Sequence, residues 1–238
     1  MSKLSDARIP LPSLFSNNTL KIIALVCMTF DHVGVQILPG VMWLRIIGRI
    51  AFPIFAYMIA EGATYTKNRT RYLGTLAVMA ALFQIVFFVV SGTLYMSIFF
   101  TFTLSVSLIF LLDHARRTPT PLSVTLALLG LLIVYFICNH LPHLLSKYYF
   151  FVDYFLVGTL IPVALFFLKE KWQKLLALTA LLALLSIESG VAIQWWSLLA
   201  VIPIALYNGK RGRYKMKYLF YVYYPLHLVV IFAISMFL

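Results

Sequence analysis

Charge is what this sequence has least of. Of 238 residues, 11% are charged and only seven are acidic, against 63% that are hydrophobic, and the mean hydropathy is +0.96. A soluble domain carries roughly 45–50% apolar residues, so a sizeable water-exposed domain is excluded and a polytopic membrane protein is the reading that remains. Cysteine is almost as scarce. Cys27 and Cys138 fall in or at the end of apolar runs without metal-ligand spacing, so they read as small hydrophobes and give no redox compartment. Internal repeats, low-complexity tracts and interdomain linkers are also missing, and the chain reads as a single integral membrane domain over residues 1–238, with 1–19 as a cytoplasmic N-terminal segment. The net charge of +12 would suggest nucleic acid in a soluble protein. In a chain this apolar it is what the positive-inside rule produces, and no nucleic-acid partner is expected.

Apolar runs punctuated by turn residues and charge clusters place spans at roughly 20–38, 41–64, 72–90, 96–112, 121–138, 152–168, 172–188, 191–207 and 217–238. All are expected to be helices, because an isolated helix satisfies its own backbone in lipid. With this division, 16 of the 19 basic residues fall on one side: Lys3, Arg8 and Lys21 at the N-terminus, then the clusters Lys67 to Arg71, Arg116–Arg117, Lys169 to Lys174 and Lys210 to Lys217. Lys147 alone lies in an opposite loop, and Arg45 and Arg49 are inside a span. That alternation predicts an all-α bundle of about nine spans with a cytoplasmic N-terminus. The first span carries an acid and runs on to Leu38, unlike the short core of a signal peptide, so it is expected to stay uncleaved.

A few polar groups lie inside the apolar spans. Asp31 and His32 sit half-way along the first, and Arg45 and Arg49 are one turn apart in the second, beyond a Pro39-Gly40 turn. Antiparallel pairing about that turn brings Asp31 level with Gly48 and Arg49, each roughly 10–14 Å from the outer surface at 1.5 Å per residue. An ion pair is therefore easy to form. Neighbours on a helix point about 100° apart, so Asp31 is expected to hold Arg49 or Arg45 rather than the ring of His32. His227, in Tyr223-Tyr224-Pro225-Leu226-His227 of the last span, comes about as deep from the basic side as His32, and the two converge if the first and last helices are neighbours. Pro225 frees the Tyr221 carbonyl and permits a kink beside them. Intramembrane charges usually pair, face a cavity and mark chemistry or transport.

Other polar residues are read more plainly. Glu61 sits near the cytoplasmic edge, where Lys67 or Arg69 is as good a partner for it as a substrate. Asp153 and Glu188 lie near outer helix ends, where interfacial solvation is the default and substrate contact the minority reading. His114, beside Arg116 and Arg117, is read as solvated in a loop. His140 and His143 have no evident third or fourth ligand, so no metal is expected. Trp43, Trp195 and Trp196 read as interfacial anchors.

At these residues the chain resembles the TraX family, named for the factor that N-acetylates conjugative pilin. Leu20 to Leu25 with Met28 and Asp31-His32 is similar to its first motif, and Gly48-Arg49 to Ala56 to its second. Ser97 to Phe102, Asp153-Tyr154 with Gly158, and Phe220 to His227 match the later ones in order. Arg45 belongs to only part of the family. The resemblance implies a transmembrane acyltransferase of the bacterial cytoplasmic (inner) membrane. It would take an acetyl group from cytoplasmic acetyl-CoA to a peptide, glycan or lipid acceptor at the far face. His32 is then the candidate base, Arg49 the oxyanion stabiliser held by Asp31, and His227 a partner in the catalytic group. Arg45, Tyr224, Glu61 and Asp153 are the candidates for substrate and CoA binding. The rival class is a proton-coupled transporter with Asp31, His32 and Arg49 as a relay.

Overall fold

The computed structural model describes residues 13–213, 216 and 219–237. The N-terminal segment with Lys3 and Arg8, and Lys215 and Lys217 of the last basic cluster, lie outside them. The described chain is all-α apart from two very short strands. Helix α1 (Asn17–Gln36) begins where the Ser16 hydroxyl accepts a hydrogen bond from the Thr19 amide at 3.2 Å, satisfying one of the orphan donors of the first turn. A turn at Leu38 to Val41 leads into α2 (Met42–Gly48) and α3 (Ala51–Tyr65). Asn68 caps α4 (Arg69–Ser91), which ends at Gly92 in the left-handed conformation, φ +67°. Then follow β1 (Tyr95–Met96), α5 (Ile98–Arg117), and α6 (Pro121–Asn139), which opens with a Thr120/Ser123 capping box. A short α7 (Leu141–Leu144) precedes β2 (Phe151–Val152), α8 (Phe155–Phe167) and α9 (Lys171–Ser189). A 3₁₀ stretch over Ala192–Ala200 continues into α10 (Val201–Ala205), and α11 (Leu219–Ser235) closes the described chain.

Among the described residues, six helical stretches are long and apolar enough to cross a membrane: Asn17–Gln36, Met42–Tyr65, Arg69–Val89, Ile98–Arg117, Pro121–Asn139 and Lys171–Ser189. Three further apolar segments are shorter: Phe155–Phe167, Ala192–Ala205 and Tyr221–Ser235. At 1.5 Å per residue a 13-residue helix such as α8 covers about 20 Å, short of a hydrocarbon core of about 30 Å. The expected second span is interrupted at Arg49 and Ile50, and the expected eighth is 3₁₀ for most of its length. His114 lies in the last turn of α5, not in a loop, and is exposed.

Leu20, Phe52, Ile54, Leu76, Ile161, Leu165, Leu178 and Leu182 are almost wholly buried and draw α1, α3, α4, α8 and α9 together. The outward faces of α4 and α6 stay apolar, with Val78, Leu82, Ile85, Leu128, Leu132 and Ile133 all exposed, as a lipid-facing surface requires. Polar ties lock α5 to α8 and the turn before it: Thr101 Oγ1 donates to the Asp153 carbonyl at 2.7 Å, and Ser105 Oγ to the Thr159 carbonyl at 2.7 Å. The two strands pair in parallel, Tyr95 opposite Phe151 and Met96 opposite Val152, and the Asp153 amide donates to the Met96 carbonyl at 3.1 Å. Irregular backbone of this kind is tolerated in a membrane protein where it is enclosed by protein.

Candidate active site

The turn after α1 folds α2 back so that Asp31 and Arg49 meet. Nη2 of Arg49 donates to both carboxylate oxygens of Asp31, at 2.7 and 2.8 Å, and Nε of Arg45 stands 3.5 Å from Oδ1. Arg49 is also held from the far side, where Nη1 donates to Gln194 Oε1 at 3.4 Å. Its side chain is 14% exposed and that of Asp31 18%. Gly48 makes the approach possible, since a Cβ there would lie 2.3 Å from the Cβ of Asp31. Because Arg49 sits in the break between α2 and α3, the chain bends where the charge is held.

On the neighbouring face of α1, His32 meets the last helix. Its ring centroid is 5.0 Å from that of His227 and 6.4 Å from that of Tyr224, both edge-on. Thr29 Oγ1, one turn earlier, is 2.7 Å from the Tyr223 hydroxyl and binds α1 to α11 at that level. His227 is 94% buried by complement of its 6% exposure, and its Nδ1 lies 2.9 Å from the Tyr223 carbonyl. A carbonyl only accepts, so Nδ1 carries the proton, and in the neutral ring Nε2 keeps its lone pair. That Nε2 is buried without a hydrogen-bond partner among the described residues. The expected convergence of the two histidines therefore occurs.

The ion pair and His32 line one cavity of about 300 Å³, while His227 stands behind His32 and does not line it. Asp31, His32, Arg45, Arg49 and Tyr224 all face it, and so do Tyr95, Ser97, Asp153 and Tyr154. Asp153 is thus not an interfacial group in open water: it enters the chamber, takes a hydrogen bond from the Tyr95 hydroxyl, and comes under the positive charge of Arg49. The parallel strand pair puts it there. After it, Tyr154 and Phe155 adopt φ of +61° and +55°, a conformation that bulky residues rarely take. Tyr154 is held in it by stacking on Phe52 at 3.6 Å between centroids, and a Cβ on Gly158 would lie 2.4 Å from the Tyr154 Cβ. Strain of this sort persists where the surroundings impose it, often at functional sites.

Glu61 is placed elsewhere. It is buried and paired with Lys174 of α9 at 2.9 Å, neither of the nearby basic residues being its partner, and it does not line the chamber. Arg69 instead pairs with the buried Asp113, which also binds Arg117 at 2.9 Å. Glu188 Oε2 accepts from the Val157 amide at 3.3 Å, in the first turn of α8. Among the described residues no group of three or more His, Cys, Asp or Glu side chains is arranged to hold a metal ion.

Sequence reasoning alone misses Tyr95 and Gln194, and gives no role to Ser97 or Tyr154 although both stand in family motifs. Tyr95 lies two residues before one of those motifs, the one signal that pointed near it. Nothing in the local sequence marks Gln194, which reaches Arg49 only through the packing of the 3₁₀ stretch on α3.

A helical membrane protein with two arginines, two acids and a histidine around an internal chamber, and a second histidine behind the first, is the class that this fold and site define. The chain belongs to the TraX protein family, whose pattern it matches over residues 16–235. It is similar to a probable fimbrial assembly protein FimC, serogroup H1, of Dichelobacter nodosus, with 26% identity over 256 aligned positions covering 94% of this chain and 97% of that one. It also resembles an uncharacterised protein of Rickettsia prowazekii, 41% identical over 54 residues, 23% of this chain and 21% of the relative. No solved structure matches.

Proposed function

We propose that the protein is an acyl-CoA-dependent membrane acetyltransferase of the bacterial inner membrane with His32 at its centre. The observation that carries this is the meeting of His32, Asp31 and Arg49 around one chamber, with His227 packed against the His32 ring. Imidazole is a base near neutral pH, and a positioned base contributes about 10²–10⁴-fold. In the reaction, an acceptor amine or hydroxyl attacks the thioester carbonyl as His32 removes its proton. The C–S bond then breaks, and the CoA thiolate leaves with the proton returned from His32. Arg49 stands ready for the oxyanion formed between these steps, held still by Asp31 and Gln194 so that little reorganisation is needed. Asp153 and Tyr95 are suited to receive the acceptor, a carboxylate beside a hydroxyl being a good host for an amine. The fimbrial assembly name of the relative favours an envelope peptide such as a pilin-type subunit.

Nine crossings, six long and three short, with the N-terminus cytoplasmic, fit the distribution of basic residues. Comparing the masses of envelope peptides, lipids and glycans from cells with wild-type protein or His32→Ala tests the reading. A species heavier by one acetyl group only with wild type is the expected result, and identical profiles oppose it. A second reading, a proton-coupled transporter, draws on the helix break at Arg49. It predicts that neither CoA nor acetyl-CoA raises the melting temperature of purified protein, whereas an enzyme that binds them is stabilised.

A further inference from the structure

Helix α1 borders two chambers in succession. The second, about 220 Å³, lies nearer its N-terminus and is mostly apolar, lined by Leu25, Met58, Ile59, Leu76 and Phe102 among others. Its outer end is polar and basic, with Asn17, Asn18, Lys21 and Arg211. The stretch carrying Arg211 is strapped to the start of α1: the Phe15 amide donates to the Leu206 carbonyl at 3.0 Å and the Asn17 amide to the Lys210 carbonyl at 2.8 Å. At its inner end the apolar chamber shares Met28, Phe55, Ile98 and Tyr224 with the charged one. These four residues form the wall between them. Tyr224 stands edge-on to His32 on one side and packs on Phe83 and Phe99, at 4.7 and 4.9 Å, on the other.

We propose that the apolar chamber is the seat of the acyl donor, with Tyr224 as the shutter between it and His32. The proposal rests on the acetyl-transfer reading above and adds where the donor lies. The occupant is a molecule with phosphates at one end, a chain of moderate polarity, and a thioester at the other. Lys21 and Arg211 meet the phosphates, the pantetheine arm fills the apolar length, and the thioester passes Tyr224. From Lys21 to His32 is eleven residues of helix, roughly 16 Å, comparable with the reach of an extended pantetheine arm. A phospholipid tail also suits an apolar slot, but it is polar at one end only. This slot has a basic end and an end that opens on imidazole.

Binding to purified protein in detergent tests this, using acetyl-CoA and S-acetylpantetheine, which lacks the nucleotide and its phosphates. Replacing both Lys21→Gln and Arg211→Gln is expected to weaken acetyl-CoA by roughly tenfold or more, the scale of a lost charge-assisted hydrogen bond, and to leave S-acetylpantetheine unchanged. Ile59→Trp, which fills the slot, is expected to weaken both, and Ile59→Phe serves if the larger ring lowers the unliganded melting temperature. If wild type binds acetyl-CoA and all these variants bind it as well, the seat is elsewhere and acetyl transfer stands. If wild type binds neither thioester, both this proposal and the reading beneath it fall.

Discussion

Asp31 fills the notch that Gly48 leaves: a methyl group on that glycine would lie 2.3 Å from the Asp31 Cβ and 2.4 Å from its Oδ1. The two helices are pressed together at the level where Arg49 crosses to the carboxylate. Gly48→Ala must push α2 from α1 or turn Asp31 away from Arg49. Overpacking of this kind costs about 1–3 kcal/mol, so a lower melting temperature is expected together with loss of acetyl transfer. A fully active, equally stable Gly48→Ala protein would show that this contact has no part in the site.

Arg49 holds Asp31 through one planar nitrogen that spans both oxygens and Gln194 through another. Lysine keeps the charge but not the fork. Arg49→Lys is expected to reduce turnover by about 10²-fold or more, the cost of misplacing an oxyanion donor, with little change in membrane insertion. Turnover of folded protein, normalised to its amount in the membrane, is the measurement.

The two histidines are predicted to differ in consequence. On the proposed mechanism His32→Gln removes the base and should abolish transfer. His227→Gln can still donate to the Tyr223 carbonyl, so a smaller decrease is expected, no more than the roughly 10²-fold low end of what a positioned acid or base contributes. Equal losses in the two variants would assign the base to the pair as a unit.

Glu61 and Lys174 provide a structural control outside the chamber. Their side chains are 8% and 13% exposed, so removing one leaves the other buried and uncompensated. Lys174→Met is expected to destabilise by about 3 kcal/mol or more, visible as a drop in melting temperature, while folded protein retains its turnover. Loss of turnover at full stability would place Glu61 back among the site residues.

Accessibility tests the crossing number. In protein with Cys27 and Cys138 replaced by Ala, a cysteine at Lys147 is expected to react with an impermeant maleimide from outside intact cells, and one at Arg117 only after permeabilisation. Both reacting from the same side would remove the alternating arrangement of basic loops.

Some of this molecule is decided locally, and that much the sequence alone determined. Helix rise is fixed at 1.5 Å per residue, so an apolar run, a Pro39-Gly40 turn and a second run already bring Asp31 level with Arg49. The depth of His227 follows in the same way, and intramembrane charge at those positions marks the candidate site in advance. Tertiary structure alone decided what depends on contacts far apart in the chain. Asp153 reaches the chamber because two strands of two residues each pair in parallel, too short to leave a periodic signal. Glu61 finds Lys174 across the bundle, and Arg69 pairs with Asp113 instead. Gln194 meets Arg49 through the packing of a 3₁₀ stretch. The wall at Tyr224 exists only where α1, α3, α5 and α11 come together, since a cavity is a property of several packed elements and of none of them alone.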